Sequence, residues 1–305
     1  MKILIIGVGG IGGFIGSFLV SGGFDVTFVS REKRFSFLKS NGLTIESELQ
    51  KIKTQRINVI EEIPNDQSFD IIINTVKLYD FDNVTSEIKK RVRGNFLLLP
   101  FQNGIYAEEK IKESFIETQR LTGAVAQISA YVDDNQHVKH VGKLATFFVG
   151  HYNASENNYL KNFCNLCQKI GLDLRFSKNI KEKIWDKFIF LSAYSGITTL
   201  TEKTIGEIFD DESLRLKFIS AMNETYELSR KYSVVFKIDP VESWIEKIKK
   251  MPYEMTSSMY VDFKKRKELE LDWLSGSITK LCKYYQVDCP THYEIIKGIK
   301  SKLIF

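Results

Sequence analysis

Gly7-Val8-Gly9-Gly10-Ile11-Gly12 follows directly on the apolar run Ile3-Leu4-Ile5-Ile6 at the start of the chain. A strand that ends in G-x-G-x-x-G and opens a helix can fold in few ways. The first glycine makes a tight turn, the second lets an anion approach the backbone, and the third lets helix pack on strand. The helix N-terminus then offers phosphates its free N–H groups and the positive end of its dipole. Context separates this stretch from a chance glycine cluster. A helical stretch, Ile11 to Val20, ends at Ser21-Gly22-Gly23, and a second strand, Asp25 to Ser30, completes a β-α-β unit. Gly7, Val8, Gly9, Gly10, Ile11 and Gly12 are therefore candidate dinucleotide contacts.

Residues Ile3 to Phe24 carry no charge and follow Lys2, which superficially resembles an export signal or membrane anchor. Eight glycines in that window argue against a spanning helix, and no small-residue cleavage site follows. The expectation is a cytoplasmic protein with no membrane partner. At 305 residues, 43% hydrophobic and 27% charged, the chain has material for two domains with sizeable cores. Its net charge of +5 comes from lysines scattered among acids. That balance suits an anionic ligand but is too diluted to imply nucleic-acid binding. Cys164 and Cys167 form a C-x-x-C, yet they share one helical face with Leu160, Phe163 and Ile170. Core packing explains them better than metal, and no metal site is expected.

After Arg31, short strands and helices alternate: Leu43 to Ser47, Arg56 to Val59, Phe69 to Val76, then Phe96 to Pro100. Apolar strands in β-α alternation imply a parallel sheet covered on both faces. Gly123 to Val132 and His137 to Val149 alternate like an antiparallel pair around the turn Asp133 to Gln136. A helix, Glu156 to Ile170, and a strand, Asp173 to Phe176, close this half. Beyond Lys178 the periodicity is helical: Ile180 to Ser195, Asp211 to Tyr232, Pro240 to Lys250 and Ser257 to Tyr285. The fold class is thus α/β, with a Rossmann-type doubly wound sheet over residues 1–177 and an all-helical domain over 178–305. An active site is expected in the cleft outside the carboxyl ends of the parallel strands.

NAD-binding units usually carry an acid at the end of the second strand. Here that position reads Val29-Ser30-Arg31, and a hydroxyl with a guanidinium suits a 2′-phosphate. Lys33 and Arg34 thicken the positive field, while Glu32 counts against it. NADP(H) is the expected cofactor.

The four histidines lie outside any charge-poor helical face, so Lys187 is the better candidate for proton transfer. Its helical neighbours are Ile184, Phe190, Leu191 and Tyr194, and no charged residue occurs from Phe188 to Thr201. Burial there would lower an ammonium pKa from ~10.4 toward neutrality, as a general acid requires. The competing reading is a lysine reaching from a core helix to water.

The Gly7 loop, Arg31, Asn74-Thr75-Val76-Lys77, Gln102-Asn103-Gly104, Trp185-x-Lys187 and Ser257-Ser258-Met259-x-x-Asp262 with Glu270 occur in that order. Together they resemble the ketopantoate reductase (2-dehydropantoate 2-reductase) family over essentially the whole chain. The resemblance implies a Rossmann domain followed by a helical domain like that of 6-phosphogluconate dehydrogenase. It also implies NADPH-dependent reduction of ketopantoate to pantoate in pantothenate and coenzyme A biosynthesis. By position, Lys187 matches the general acid and Glu270 the acid that binds the substrate hydroxyl. Lys77 and Asn103 match polar groups at the cofactor–substrate junction, and Asn103, Ser258 and Asp262 match substrate contacts. Helix geometry is compatible: Ser258, Asp262, Arg266 and Glu270 form an i, i+4 row, so their side chains lie along one drifting face. The alternative for Asp262 and Glu270 is solvated ion pairing with the intervening Lys264-Lys265-Arg266-Lys267.

The family commonly carries asparagines four and eight residues after the lysine, where this chain has Leu191 and Ser195. The usual G-R-x-T-E is here Arg266-Lys267-Glu268-Leu269-Glu270. Two alternatives therefore stand beside ketopantoate reduction: the same fold acting on another 2-keto acid, and a non-catalytic NADP-binding sensor. The expected partner is a small 2-keto acid, without nucleic acid, and a homodimer is compatible with the reading.

Overall fold

The computed structural model describes residues 1–115, 122–152 and 158–303. The chain folds into two compact units, one of 1–102 with 107–180 and the other of 103–106 with 181–305. In the first, the elements run β1 (Lys2–Ile6), α1 (Gly10–Ser21), β2 (Asp25–Val29), α2 (Glu32–Asn41), β3 (Leu43–Glu46), β4 (Ile52–Thr54) and β5 (Asn58–Ile60). They continue as β6 (Gln67–Ser68), β7 (Ile71–Asn74), α3 (Leu78–Arg91), β8 (Val92–Arg93), β9 (Leu97–Pro100) and α4 (Tyr106–Ser114). The antiparallel pair β10 (Thr122–Val132) and β11 (Val138–His151), α5 (Asn158–Lys169) and β12 (Leu174–Phe176) follow. The expected helix start at Glu156 lies outside the described residues.

Five strands form a parallel sheet in the order β5-β2-β1-β7-β9. This is the mixed-direction winding of a Rossmann half, and the order reverses at β1, where the glycine loop emerges. A second sheet, β10-β11-β3-β4 with β12 on β11, lies within the same unit. Helix α1 is packed from two sides. Gly16 sits against Phe28 and Ile5 of the parallel sheet, and Gly13 sits against Val138 of the second sheet. Phe14 stacks toward Phe147 of β11 at 6.0 Å. A helix covered on opposite faces has no polar face to show, which is why Ile11 to Val20 carries no charge. Cys164 and Cys167 are buried in this core, and burial pushes the Cys164 thiol up to about 12.

The second unit is helical: α6 (Ile180–Thr201, from Lys181 onward), α7 (Ile205–Asp210), α8 (Glu212–Lys231), α9 (Pro240–Ile248), α10 (Ser258–Lys264), α11 (Ser275–Tyr285) and α12 (Pro290–Lys302). The expectation of one helix from Ser257 to Tyr285 fails. Helix α10 stops at Lys264, Arg266 takes a left-handed backbone (φ 52°), and a 3₁₀ turn spans Glu270–Asp272 before α11. Leu269, Glu270 and Leu271 are all buried, and three successive residues cannot share one helical face. Four consecutive cations, Lys264 to Lys267, also suit a helix C-terminus better than a helix interior. Helices α7 and α12 escape a search for long periodic runs. Their signals are local, a Thr204/Glu207 capping box and Pro290 at the first turn.

A buried polar relay ties four of these helices. The hydroxyls of Ser192 (α6) and Thr225 (α8) lie 2.9 Å apart, and Thr225 Oγ1 is 3.0 Å from His292 Nε2 (α12). Nε2 donates to the Ala221 carbonyl at 3.0 Å, which leaves Nδ1 to accept from Ser275 Oγ (α11) at 3.3 Å. Glu224 caps α12 by accepting from the backbone N–H of Thr291 and His292. Among the described residues, no helix is long and apolar enough to cross a membrane.

Candidate functional site

The three glycine roles expected from the motif are distinct in space. Gly7 has φ +89°, a conformation that L side chains rarely adopt, and its N–H donates to Val29 O at 3.1 Å. A Cβ on Gly12 would overlap the Gly7 carbonyl and the Thr75 hydroxyl, so only glycine lets α1 start this close to β1 and β7. Around Gly9 the space is open: a Cβ there would meet nothing within 4 Å. Gly9 is also the N-cap of α1, and no acid occupies the first turn to compensate the helix dipole. This open, donor-rich, uncompensated cradle fits a dinucleotide pyrophosphate. Gly10 has another explanation, since a side chain there would collide with the Ala130 carbonyl of β10. Val8 is buried and Ile11 half-buried.

The adjoining strand ends are stitched by side chains that motif reading left without roles. Thr75 Oγ1 donates to Gly7 O at 2.5 Å. The Gln102 carboxamide donates to the backbone oxygens of Asn74 and Val76 at 3.1 and 3.0 Å. Lys77 is half-buried and forms the N-cap of α3. Ser30 is buried, with its N–H on Ile60 O. Arg31 is exposed at the N-cap of α2, and Lys33 is exposed beside it. A guanidinium and a helix N-terminus thus share one exposed corner at the end of β2, as an anion site requires.

The second unit gathers the candidate chemistry on α6. Lys187 is half-buried, and its Nζ donates to Asn103 Oδ1 at 2.8 Å. The segment Asn103–Tyr106 belongs to this unit, and Gly104 (φ +85°) sits 3.3 Å from Phe188 and 3.5 Å from Leu274, measured from where a Cβ would be. That close approach brings Asn103 to Lys187. Trp185 is fully buried against Tyr232, and Trp244 Nε1 donates to the Asp186 carbonyl at 2.8 Å. Both neighbours of Lys187 on its N-terminal side are thereby fixed. Further along the helix, Thr198 Oγ1 and Ser257 Oγ lie 2.7 Å apart, and Ser257 caps α10 by accepting from Tyr260 N.

Ser258 and Asp262 share α10, the first exposed and the second half-buried. Glu270 does not continue their row, because the helix ends before it. It is 8% exposed and opens the 3₁₀ turn, where its carbonyl accepts from Trp273 and Leu274. The solvated-helix alternative for Glu270 therefore fails on burial. Leu191 is half-buried, whereas Ser195 is 1% exposed, with its carbonyl bonded to Thr199. Ser195 is thus enclosed by the helices around α6. An open groove of about 820 Å³ lined by Lys203, Glu207, Asp210 and Tyr253 holds none of these residues.

Comparison with known proteins gives this geometry its relatives. Two family models, described as "Ketopantoate reductase PanE/ApbA" and its C-terminal counterpart, match residues 3–154 and 179–302. The chain is 30% identical to "Uncharacterized oxidoreductase YkpB" of Bacillus subtilis over 95% of both chains. It is 29% identical to a "2-dehydropantoate 2-reductase" of Pyrococcus horikoshii, over 99% of this chain and 97% of that one. Among solved structures, D-mandelate dehydrogenase in a ternary complex with NADH and anilino(oxo)acetate superposes with a TM-score of 0.89. That match has 20% identity and covers 99% of this chain and 98% of the other. With both family models in place on the glycine-loop unit and on the Lys187 unit, the chain belongs to the ketopantoate reductase family of oxidoreductases.

Proposed function

We propose that this chain reduces 2-dehydropantoate to pantoate with NADPH. The observation that carries the reading is the 2.8 Å bond from Lys187 Nζ to Asn103 Oδ1, made where the charge-free stretch Phe188 to Thr201 of α6 begins. The ammonium carries three N–H donors, of which Asn103 takes one, and a buried carboxylate at Glu270 can accept from a hydroxyl. When bound, NADPH supplies the hydride that goes to the keto carbon. Lys187 gives its proton to the carbonyl oxygen as charge develops there, and Asn103 holds the ammonium in position. Glu270 accepts a hydrogen bond from the substrate hydroxyl, with Ser258 and Asp262 as further substrate contacts. On the cofactor side, the Gly7–Gly12 loop takes the pyrophosphate, Arg31 with Ser30 and Lys33 favours the 2′-phosphate, and Lys77 lies toward the nicotinamide end. The naming of the Pyrococcus horikoshii relative supports the substrate.

Leu191 favours a second reading. A half-buried leucine cannot replace the hydrogen bonds of an amide, each worth about 1 kcal/mol net. An aliphatic side chain there would suit a more apolar 2-keto acid, and the structural relative that acts on mandelate shows the fold in such a role. Following the absorbance of reduced nicotinamide with ketopantoate and a panel of 2-keto acids decides between the two. NADH is run alongside. Faster turnover with a branched or aromatic keto acid would replace ketopantoate as substrate, and faster turnover with NADH would overturn the role of Arg31.

A further inference from the structure

Arg34 stands one turn into α2, where sequence alone gives it only a share in a positive field. The structure places it differently. Its Nε donates to the carbonyl of Val8 at 2.9 Å, inside the glycine loop, and its Nη1 donates to the carbonyl of Gln136 at 2.5 Å, in the β10–β11 turn. Its Nη2 is buried, with no hydrogen-bond partner among the described residues. Burial lowers the guanidinium to about 10, against the pull of Asp133, so it stays charged at neutral pH. A cation kept partly desolvated for two carbonyls is a costly device, and one of those carbonyls belongs to the peptide that opens the anion cradle.

We infer that Arg34 is a positioning residue for dinucleotide binding: it fixes the Val8–Gly9 peptide so that the Gly9 N–H faces the open side of the loop. The argument is geometric. The peptide is planar and trans, so its C=O and N–H point in opposite directions. Anchoring the Val8 oxygen toward α2 turns the Gly9 N–H away from α2. Around Gly9 there is room for a phosphate, since a Cβ there meets nothing within 4 Å. A free glycine-flanked peptide can flip, and a flipped peptide would aim a carbonyl oxygen at the pyrophosphate instead of a donor. The second hydrogen bond, to Gln136, fixes the guanidinium itself. A lysine head could reach one carbonyl but could not span both in a fixed plane.

This inference rests on the cofactor reading above, and the test separates the two. Binding of NADPH, NADH and 2′-AMP to the wild type, Arg34→Lys and Arg34→Met is measured by titration, with thermal melts and steady-state kinetics alongside. The expected result is a loss of roughly tenfold or more in affinity for both NADPH and NADH in both variants, the scale of a charge-assisted hydrogen bond. Their ratio should be unchanged, 2′-AMP binding intact because it has no pyrophosphate, and kcat at saturating cofactor nearly unaltered. Full rescue by lysine would show that charge alone matters and overturn the inference. So would an equal loss for 2′-AMP, or variants that bind NADPH like the wild type. A wild type that binds 2′-AMP but neither dinucleotide would overturn the cofactor reading, and with it this one. Arg34→Lys carries the comparison if Arg34→Met melts too early to titrate.

Discussion

The glycine loop and the Lys187 cluster are built from different materials. The first is backbone: an open N-cap at Gly9, a turn at Gly7 and a contact at Gly12 that admits no side chain. The second is side chain on side chain, with Lys187 on Asn103, Thr198 on Ser257, and Trp185 and Asp186 held from neighbouring helices. A backbone site is specified by what the sequence leaves out, namely every Cβ. A side-chain site depends on partners 84 residues apart, as Lys187 and Asn103 are. The first tolerates no substitution at its contacts, and the second should degrade in steps.

The largest effect is expected where the second region meets the reaction. Lys187→Ala should lower kcat by about 10²–10⁴-fold, the range of a lost general acid, and leave NADPH affinity within a few-fold. A loss below tenfold in steady-state kinetics would remove Lys187 from the role. In the first region, Gly12→Ala should cost more than about 3 kcal/mol of stability, because the obstructing Gly7 carbonyl is backbone and cannot swing aside. Gly9→Ala, with open space around it, should melt near the wild-type temperature and yet bind dinucleotide poorly. If both glycine variants melt alike, the two sites do not differ as described.

The His292 relay makes the second unit sensitive to acid. Burial lowers the His292 pKa from 6.5 to about 4, so below pH 6.5 the unfolded chain takes up a proton that the folded chain refuses. Stability should fall as pH drops from 6.5 to 4 and stop responding to this group below that, by about 3 kcal/mol in all. Denaturant titrations across this range should show a flatter slope in His292→Gln, and an unchanged slope would break the claim. Asn103→Ala should reduce kcat/KM by roughly tenfold to a hundredfold, the worth of a hydrogen bond to a charged group. Ser257→Ala removes a cap and the Thr198 bond, and should cost about 1 kcal/mol by thermal melt with little change in turnover.

The legibility of the chain follows the same division. Ile3 to Gly12 announced β1, the turn and α1, because apolar strand, glycine spacing and helix onset are local properties. The charge-free span to Val20 looked anomalous until the second sheet was seen to cover α1 from the other side. The end of α10 is hard to read because i, i+4 spacing assumes a continuous helix, whereas the cation run Lys264 to Lys267 and the joint burial of Leu269, Glu270 and Leu271 mark the break. Ser195 shows what spacing from Lys187 leaves open: it counts positions along α6 but says nothing of burial, and this serine is 1% exposed. Arg34 was invisible for a third reason, since nothing local links α2 to a carbonyl 26 residues earlier.

The tetrapeptide Asn103–Tyr106 folds with the helices that begin 75 residues after it. A cut at the start of α6 would therefore release a helical fragment lacking Asn103, an acceptor for Lys187, and the glycine that wedges against Phe188 and Leu274. The helical half cannot be transplanted onto another nucleotide-binding half as a simple C-terminal cassette. Any recombinant chimera must carry this loop across with it, and the swap point lies after Gln102 as well as before Lys181.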